Sequence, residues 1–316
     1  MQESCIMKKR FLVAAITAAM VSPVAAYAEA DVYGKAHASY TFNSGDDSTD
    51  NVTIASNASR LGVKGSEDIG GGMKAFYKME FEVNIADGGA FKGRNQYVGL
   101  SGSMGQFRIG RHDTPLKMVQ GKFDQFNDTI ADMGKDKMVD GEDRLDNVLA
   151  LISPKMGGMQ AMIALVPGEQ DGTNPANDLT GAADGISAAF TYDAKNLFVS
   201  LGNNSGDLVD DQTRLVATFK MDDMQFGGLY STTDFGMNDD QVSMGLSFGM
   251  KVSDAGKVKL QFIDAADIGG AAGVDETRMD VGYDHKMSKR TSVYALVDSF
   301  SEADRSAVSF GIVHNF

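Results

Sequence analysis

The 316-residue chain contains no tryptophan and one cysteine, Cys5. Cys5 lies upstream of Met7 in a leader-like segment, so the chain that follows can form neither a disulfide nor a reactive thiolate. Basic residues are scarce, with 29 Lys and Arg against 43 Asp and Glu and a net charge of −14. That shortage argues against a phosphate-lined groove, and no nucleic-acid partner is expected. After Ala28 no apolar run is long enough for a helix that must cross ~30 Å of hydrocarbon. The four histidines, His37, His112, His285 and His314, have no zinc-ligand spacing, and neither a metal nor a cofactor is expected. Residues 245–249 (GLSFG) fit the G-x-S-x-G pattern, but a nucleophile elbow needs a strand-to-helix turn. Ser247 instead sits in the middle of an alternating strand pattern, and no enzymatic activity is expected.

Residues 7–28 (MKKRFLVAAITAAMVSPVAAYA) hold a basic start, an apolar middle broken by Pro23, and Ala26-Tyr27-Ala28 as a small-x-small cleavage site. They read as a secretory signal with Met7 as the start, so 1–28 is expected to be removed and 29–316 to form a single domain. Removing 1–28 takes away three basic residues and one acidic one, leaving net −16.

What the rest of the chain has in abundance is period two. In 241–253 (QVSMGLSFGMKVS) one face carries Val242, Met244, Leu246, Phe248, Met250 and Val252, and the other is mostly Ser and Gly. An apolar face a dozen residues long exceeds the usual globular strand. Residues 31–43, 73–85 and 214–221 repeat the pattern, with Lys35, His37, Lys74, Lys78, Glu80, Glu82, Arg214 and Lys220 opposite the apolar residues. Such charges would cost about 2–4 kcal/mol each facing lipid at a bilayer midplane, and alternation keeps them on the other side. With no Trp, the interfacial aromatic girdles must rest on 9 Tyr and 18 Phe.

Short Gly-rich or charged turns alternate with longer polar loops at 45–51, 117–143, 168–184, 206–211, 236–240, 269–274 and 301–304. Counting between them gives sixteen strands at 18 residues per repeat, room for ~9–11 spanning residues and a connection. The expected fold is all-β: a 16-stranded antiparallel transmembrane β-barrel with short periplasmic turns and long outer loops. An even strand number returns both ends to one rim, where the last strand can close on the first. That strand carries Val308, Phe310, Ile312, His314 and Phe316 on one face.

Residues 59–75 (SRLGVKGSEDIGGGMKA), 94–102 (RNQYVGLSG), 107–111 (FRIGR), Ser153-Pro154, 288–295 (SKRTSVYA) and 311–316 (GIVHNF) follow in order. In this the chain resembles the general diffusion porins of Gram-negative outer membranes, in the branch found in Neisseria and many proteobacteria. The resemblance spans the mature chain, with 59–118 and 281–316 its most specific parts. It implies a homotrimer in the outer membrane, each barrel holding a water-filled pore narrowed by an inward-folded loop after strand five, here 117–143. It implies passive diffusion of ions and small hydrophilic solutes. The small outward residues Gly34, Ala36 and Ala38 fit a close neighbouring barrel.

By family position Arg60, Arg94 and Arg144 resemble the basic wall of the constriction, and alternation adds Lys64 and Lys78. Arg94 is in phase with outward Val98 and Leu100, so bringing it inward requires a bulge or a place near the rim. The opposing acids are expected in the loop as Asp124, Asp128 and Asp132, which one short helix would align on a face. Outer-loop acids (Asp46, Asp47, Asp50; Asp207, Asp210, Asp211; Asp239, Asp240) are expected to meet divalent cations bridging lipopolysaccharide. Low overall ion selectivity is expected. Two other readings remain: a saturable channel specific for an anion or small carboxylate, and a non-conducting adhesive or structural barrel.

Overall fold

The computed structural model describes residues 30–45, 50–168, 181–207, 209–236 and 239–316. The signal segment 1–28, Asp46 and Asp47 lie outside the described residues, as does most of the 168–184 loop.

Seventeen strand segments form one closed antiparallel sheet. They are β1 (Asp31–Gly45), β2 (Asn51–Ser56), β3 (Arg60–Gly70), β4 (Met73–Glu82), β5 (Lys92–Gly102), β6 (Gly105–Asp113), β7 (Arg144–Ile152), β8 (Met159–Val166), β9 (Gly185–Asp193), β10 (Leu197–Gly206), β11 (Asp211–Met221), β12 (Met224–Asp234), β13 (Gln241–Lys251), β14 (Gly256–Ala266), β15 (Glu276–Lys286), β16 (Thr291–Phe300) and β17 (Arg305–Asn315). β2 and β3 pair with different halves of β1, at Ala38 to Asn43 and at Asp31 to Lys35, so they are one stave broken in the middle. The barrel therefore has the sixteen staves that the loop pattern predicts. The break falls where Ala58 adopts φ 49°. There the His37 backbone is satisfied by Ser59 Oγ, which accepts from its N–H at 2.9 Å and donates to its carbonyl at 3.0 Å.

The seam closes between β1 and β17, from Lys35 opposite Asn315 to Gly45 opposite Arg305. Beyond it Gly34 and Phe316 exchange backbone hydrogen bonds of 3.0 and 3.1 Å. Among the described strands no edge is left to solvate inside a membrane.

The two faces divide as alternation requires. Val32, Phe42, Ile54, Met79, Val98, Leu246, Phe310 and Ile312 are all exposed on the outside, an apolar surface suited to lipid rather than water. The short connections lie where they were expected. One of them, Gly70-Gly71-Gly72, has three consecutive positive φ angles of 83°, 64° and 74°, which only glycine adopts without strain. The long loops include one not read from the sequence, 83–91. β4 ends at Glu82, so Val83 and Ile85 belong to that loop and not to the strand's apolar face.

Candidate functional site

The longest described connection, 114–143, follows the fifth stave and folds into the barrel. It starts with a single helical turn, α1 (Pro115–Met118), capped by the Thr114 hydroxyl accepting from the Lys117 N–H at 3.1 Å. The expected helix through Asp124, Asp128 and Asp132 is absent. Asp side chains compete for backbone donors and favour turns. Here Asp124 Oδ1 accepts from Phe126 N at 2.8 Å, Asp132 Oδ1 from Gly134 N at 3.0 Å, and Asp132 Oδ2 from Asp128 N at 2.8 Å. Asp128 itself sits at φ 61°.

The loop lies against the inner wall of β8 to β17. Phe123, Met133, Met138 and Val139 pack on inward Val216, Leu229, Ile263, Ala265 and Phe300. Glycines make the space: a Cβ on Gly245 would come within 2.5 Å of the Phe123 ring, and one on Gly282 within 2.7 Å of Phe126. The small inward face of β13 seen in the sequence is thus the bed of this loop. Polar side chains hold its backbone. Ser200 donates to the Val119 carbonyl at 2.8 Å, Gln241 to that of Lys137 at 2.7 Å, and Arg278 to that of Asp132 at 3.0 Å. Fully buried Arg214 pairs with Glu142 at 2.8 Å and also donates to the Asp140 carbonyl.

From this bed the loop reaches across the lumen. Asp128 Oδ2 meets Lys35 Nζ at 2.6 Å on β1 and Arg60 at 2.8 Å on β3. Burial works against the charged carboxylate, but Lys35 and Arg60 outweigh it and hold Asp128 below the usual carboxylate range.

Arg94 reaches the lumen through a bulge. Phe81 pairs with Gly93 and Met79 with Gln96, so Glu80 stands opposite two residues, Arg94 and Asn95. The extra residue cancels the phase conflict with Val98 and Leu100. Arg94 then donates to Glu80 at 2.8 Å and to Glu82 at 3.3 Å. Lys78 pairs with the same Glu80 at 3.1 Å, and Tyr33 donates to it at 2.9 Å. Arg144 pairs with Asp113 at 2.7 Å.

Arg60, Arg94, Arg144 and Lys117 thus line one space with Asp113, Asp128, Asp132 and Glu142, four cations facing four carboxylates. Lys64 and Lys78 lie outside that space, nearer the short-turn rim, directly opposite each other on β3 and β4. Asp124 is turned away from it: its carboxylate is spent on loop N–H groups, so the expectation that it faces the basic wall is corrected. Lys35, Glu80, Glu82, Asp113, Lys117 and Glu142 join the site without having been singled out. Alternation places Lys35, Glu80 and Glu82 on the inner face, but their height along the barrel depends on register.

Sixteen closed staves, an apolar outside and a charged, loop-narrowed interior define a transmembrane channel. A model of the Gram-negative porin family matches residues 14–305, and the chain belongs to that family. It is 29% identical over 284 residues to outer membrane porin protein 32 of Delftia acidovorans, covering 81% of this chain and 78% of that one. To the major outer membrane protein P.IB of Neisseria meningitidis it is 29% identical over 204 residues, covering 61% and 58%. Among solved structures, OmpF of Salmonella typhi in complex with daunomycin superposes with a TM-score of 0.72 at 14% identity, covering 92% of this chain and 98% of that one. The trimer form of in-vitro folded OmpT of Vibrio cholerae gives 0.69 at 16% identity, covering 91% and 99%. The protein is an outer-membrane porin, a channel for passive diffusion of small solutes.

Proposed function

We propose that 114–143 is the constriction loop and that Arg60, Arg94 and Arg144 face Asp128 and Asp132 across the narrowest part of the pore. The carrying observation is the Asp128 carboxylate, which extends from a loop bedded on one wall to Lys35 and Arg60 on the other. Fixed charges of both signs around a water-filled gap orient water and disfavour large apolar solutes. The even balance of cations and carboxylates there supports weak ion selectivity at the eyelet, whatever the net charge of the chain.

The finer assembly belongs to the same reading. The protein acts as a homotrimer, as one of the similar structures is titled. It is exported by the 1–28 signal and surrounded by lipopolysaccharide at its acidic outer loops. Of the small residues on β1, Gly34 is covered by the protein's own Phe316 ring, so close approach of a neighbour rests on Ala36 and Ala38.

The test is single-channel recording in a planar bilayer. Replacing Arg60 and Arg94 together by Gln should shift the zero-current potential in a KCl gradient toward cations. An unchanged potential would remove both arginines from the constriction. Wild-type steps closing in threes are expected from a trimer.

A further inference from the structure

A second cluster of cations lies below the eyelet, at the short-turn end of the lumen. Lys64, Lys74, Lys78 and Arg108 line one open pocket with Phe76 and Tyr97, and Asp31 is the single carboxylate in its lining. The sheet places Lys64 directly opposite Lys78, a like-charge pair that costs stability in an antiparallel ladder. Both ammonium groups hover over one ring, Tyr33, at 5.4 and 5.9 Å. Lys78 has Glu80, but among the described residues no carboxylate lies within ion-pair distance of Lys64, Lys74 or Arg108.

Arg108 makes the most contacts of these groups. Its guanidinium lies 4.9 Å from the Tyr97 ring centre and 5.8 Å from that of Phe76. Gln106 Oε1 accepts from its Nε at 3.2 Å and from a terminal nitrogen at 2.5 Å, and its other terminal nitrogen lies 2.6 Å from His112 Nε2. Gly99, directly opposite on β5, leaves room for the stack, since a Cβ there would approach the Phe76 ring to 2.7 Å. Stacking and neutral acceptors fix the cation's direction without neutralising it. A guanidinium held this way beside two unpaired lysines is an arrangement for binding oxygen anions.

We propose that Lys64, Lys74, Lys78 and Arg108 form an anion station at the periplasmic mouth, which binds small multivalent oxyanions, phosphate or polycarboxylate, as they pass. The eyelet is balanced and the station is not, so the station rather than the eyelet sets any preference for anions. This rests on the channel reading.

The test adds inorganic phosphate, citrate, acetate or glucose to the short-turn side of single channels at constant ionic strength. Phosphate or citrate should reduce the current saturably, and acetate and glucose at equal concentration should not. Block by phosphate alone assigns the station to compact oxyanions, and block by citrate alone to extended polycarboxylates. Lys74→Gln with Arg108→Gln should raise the half-blocking concentration about tenfold or more, the scale of a lost charge-assisted contact. Lys74→Gln alone, which leaves the aromatic stack intact, should raise it about tenfold. Channels that conduct but show no block by either anion, or equal block in wild type and variants, overturn the station while leaving the channel standing. Folded wild-type protein that does not conduct overturns both.

Discussion

The acids of the loop share one side-chain chemistry and do different work. Asp128 is held ionised by Lys35 and Arg60, whereas burial and then the neighbouring Asp132 carboxylate push Asp124 up to about 7. An acid whose folded value lies above its unfolded value binds more protons in the folded state across that interval. Its contribution is present at low pH and is lost as pH rises toward about 7. The groups around it reinforce this sense: Asp132 and Glu142 oppose its ionisation, and Arg278, which donates to the Asp132 carbonyl, is the cation that feels its charge. The loop should therefore loosen as pH rises from the ordinary carboxylate value of 3.8 toward about 7 and change little above that, read as increasing open-channel noise. Asp124→Asn, which cannot ionise, should flatten that dependence, and an unaltered profile would locate the titration elsewhere.

At the scale of elements, the loop and its bed form one packing unit. Introducing Leu at Gly245 would drive a side chain into the space of buried Phe123, at a cost of about 1–3 kcal/mol typical of overpacked cores. The loop should shift toward the opposite wall and single-channel conductance should fall. Gly228→Leu is the matched control, because a Cβ there meets nothing within 4 Å. Equal conductance in the two variants would show that the loop does not rest on β13. Much of this level was legible in the sequence. The phase conflict at Arg94 called for a bulge or a place near the rim, and the bulge is there, whereas the Ser and Gly face of 241–253 was visible only as alternation and its role as a bed for the loop was not. The path of 119–142 was not legible, because it is set by Asx turns and by Ser200, Gln241, Arg214 and Arg278, all distant in sequence. For the same reason Asp128 could not be told from Asp124 before the backbone was known.

For the whole molecule, the decisive bond is the seam. Period two made the staves and the expected count of sixteen legible, since each face meets a different solvent, lipid or water, along its whole length, although the connection at 83–91 was not read as a loop. The break that splits the second stave does show in the sequence as a change of phase, since outward Val52 and Ile54 fall on even positions and outward Leu61 and Val63 on odd ones. Deleting Phe316 should remove the two hydrogen bonds to Gly34 and uncover that glycine, leaving the pairs from Lys35 to Gly45 in place. Closure should survive with stability lowered by about 2–4 kcal/mol, the scale of two backbone hydrogen bonds and one aromatic ring. Guanidinium unfolding in lipid vesicles would measure it, and an unchanged midpoint would show that the seam ends at Lys35.

The bed of the loop reaches from β8 to β17, while the cations of the proposed pore wall stand on β1 and on β3 to β7 and face the carboxylates of the loop itself. Mutation therefore meets two regimes within one circular wall. On the bed, small and amide side chains are bound to a particular loop, so a change there has to be matched by a second change across the lumen. On the opposite arc, Lys64, Lys74, Lys78, Arg94, Arg108 and Arg144 make no hydrogen bond or ion pair to the loop among the described residues, whereas Arg60 is tied to its Asp128. A lineage meeting a new nutrient or toxin could alter what it admits through single substitutions on that arc while inheriting the rest of the barrel intact.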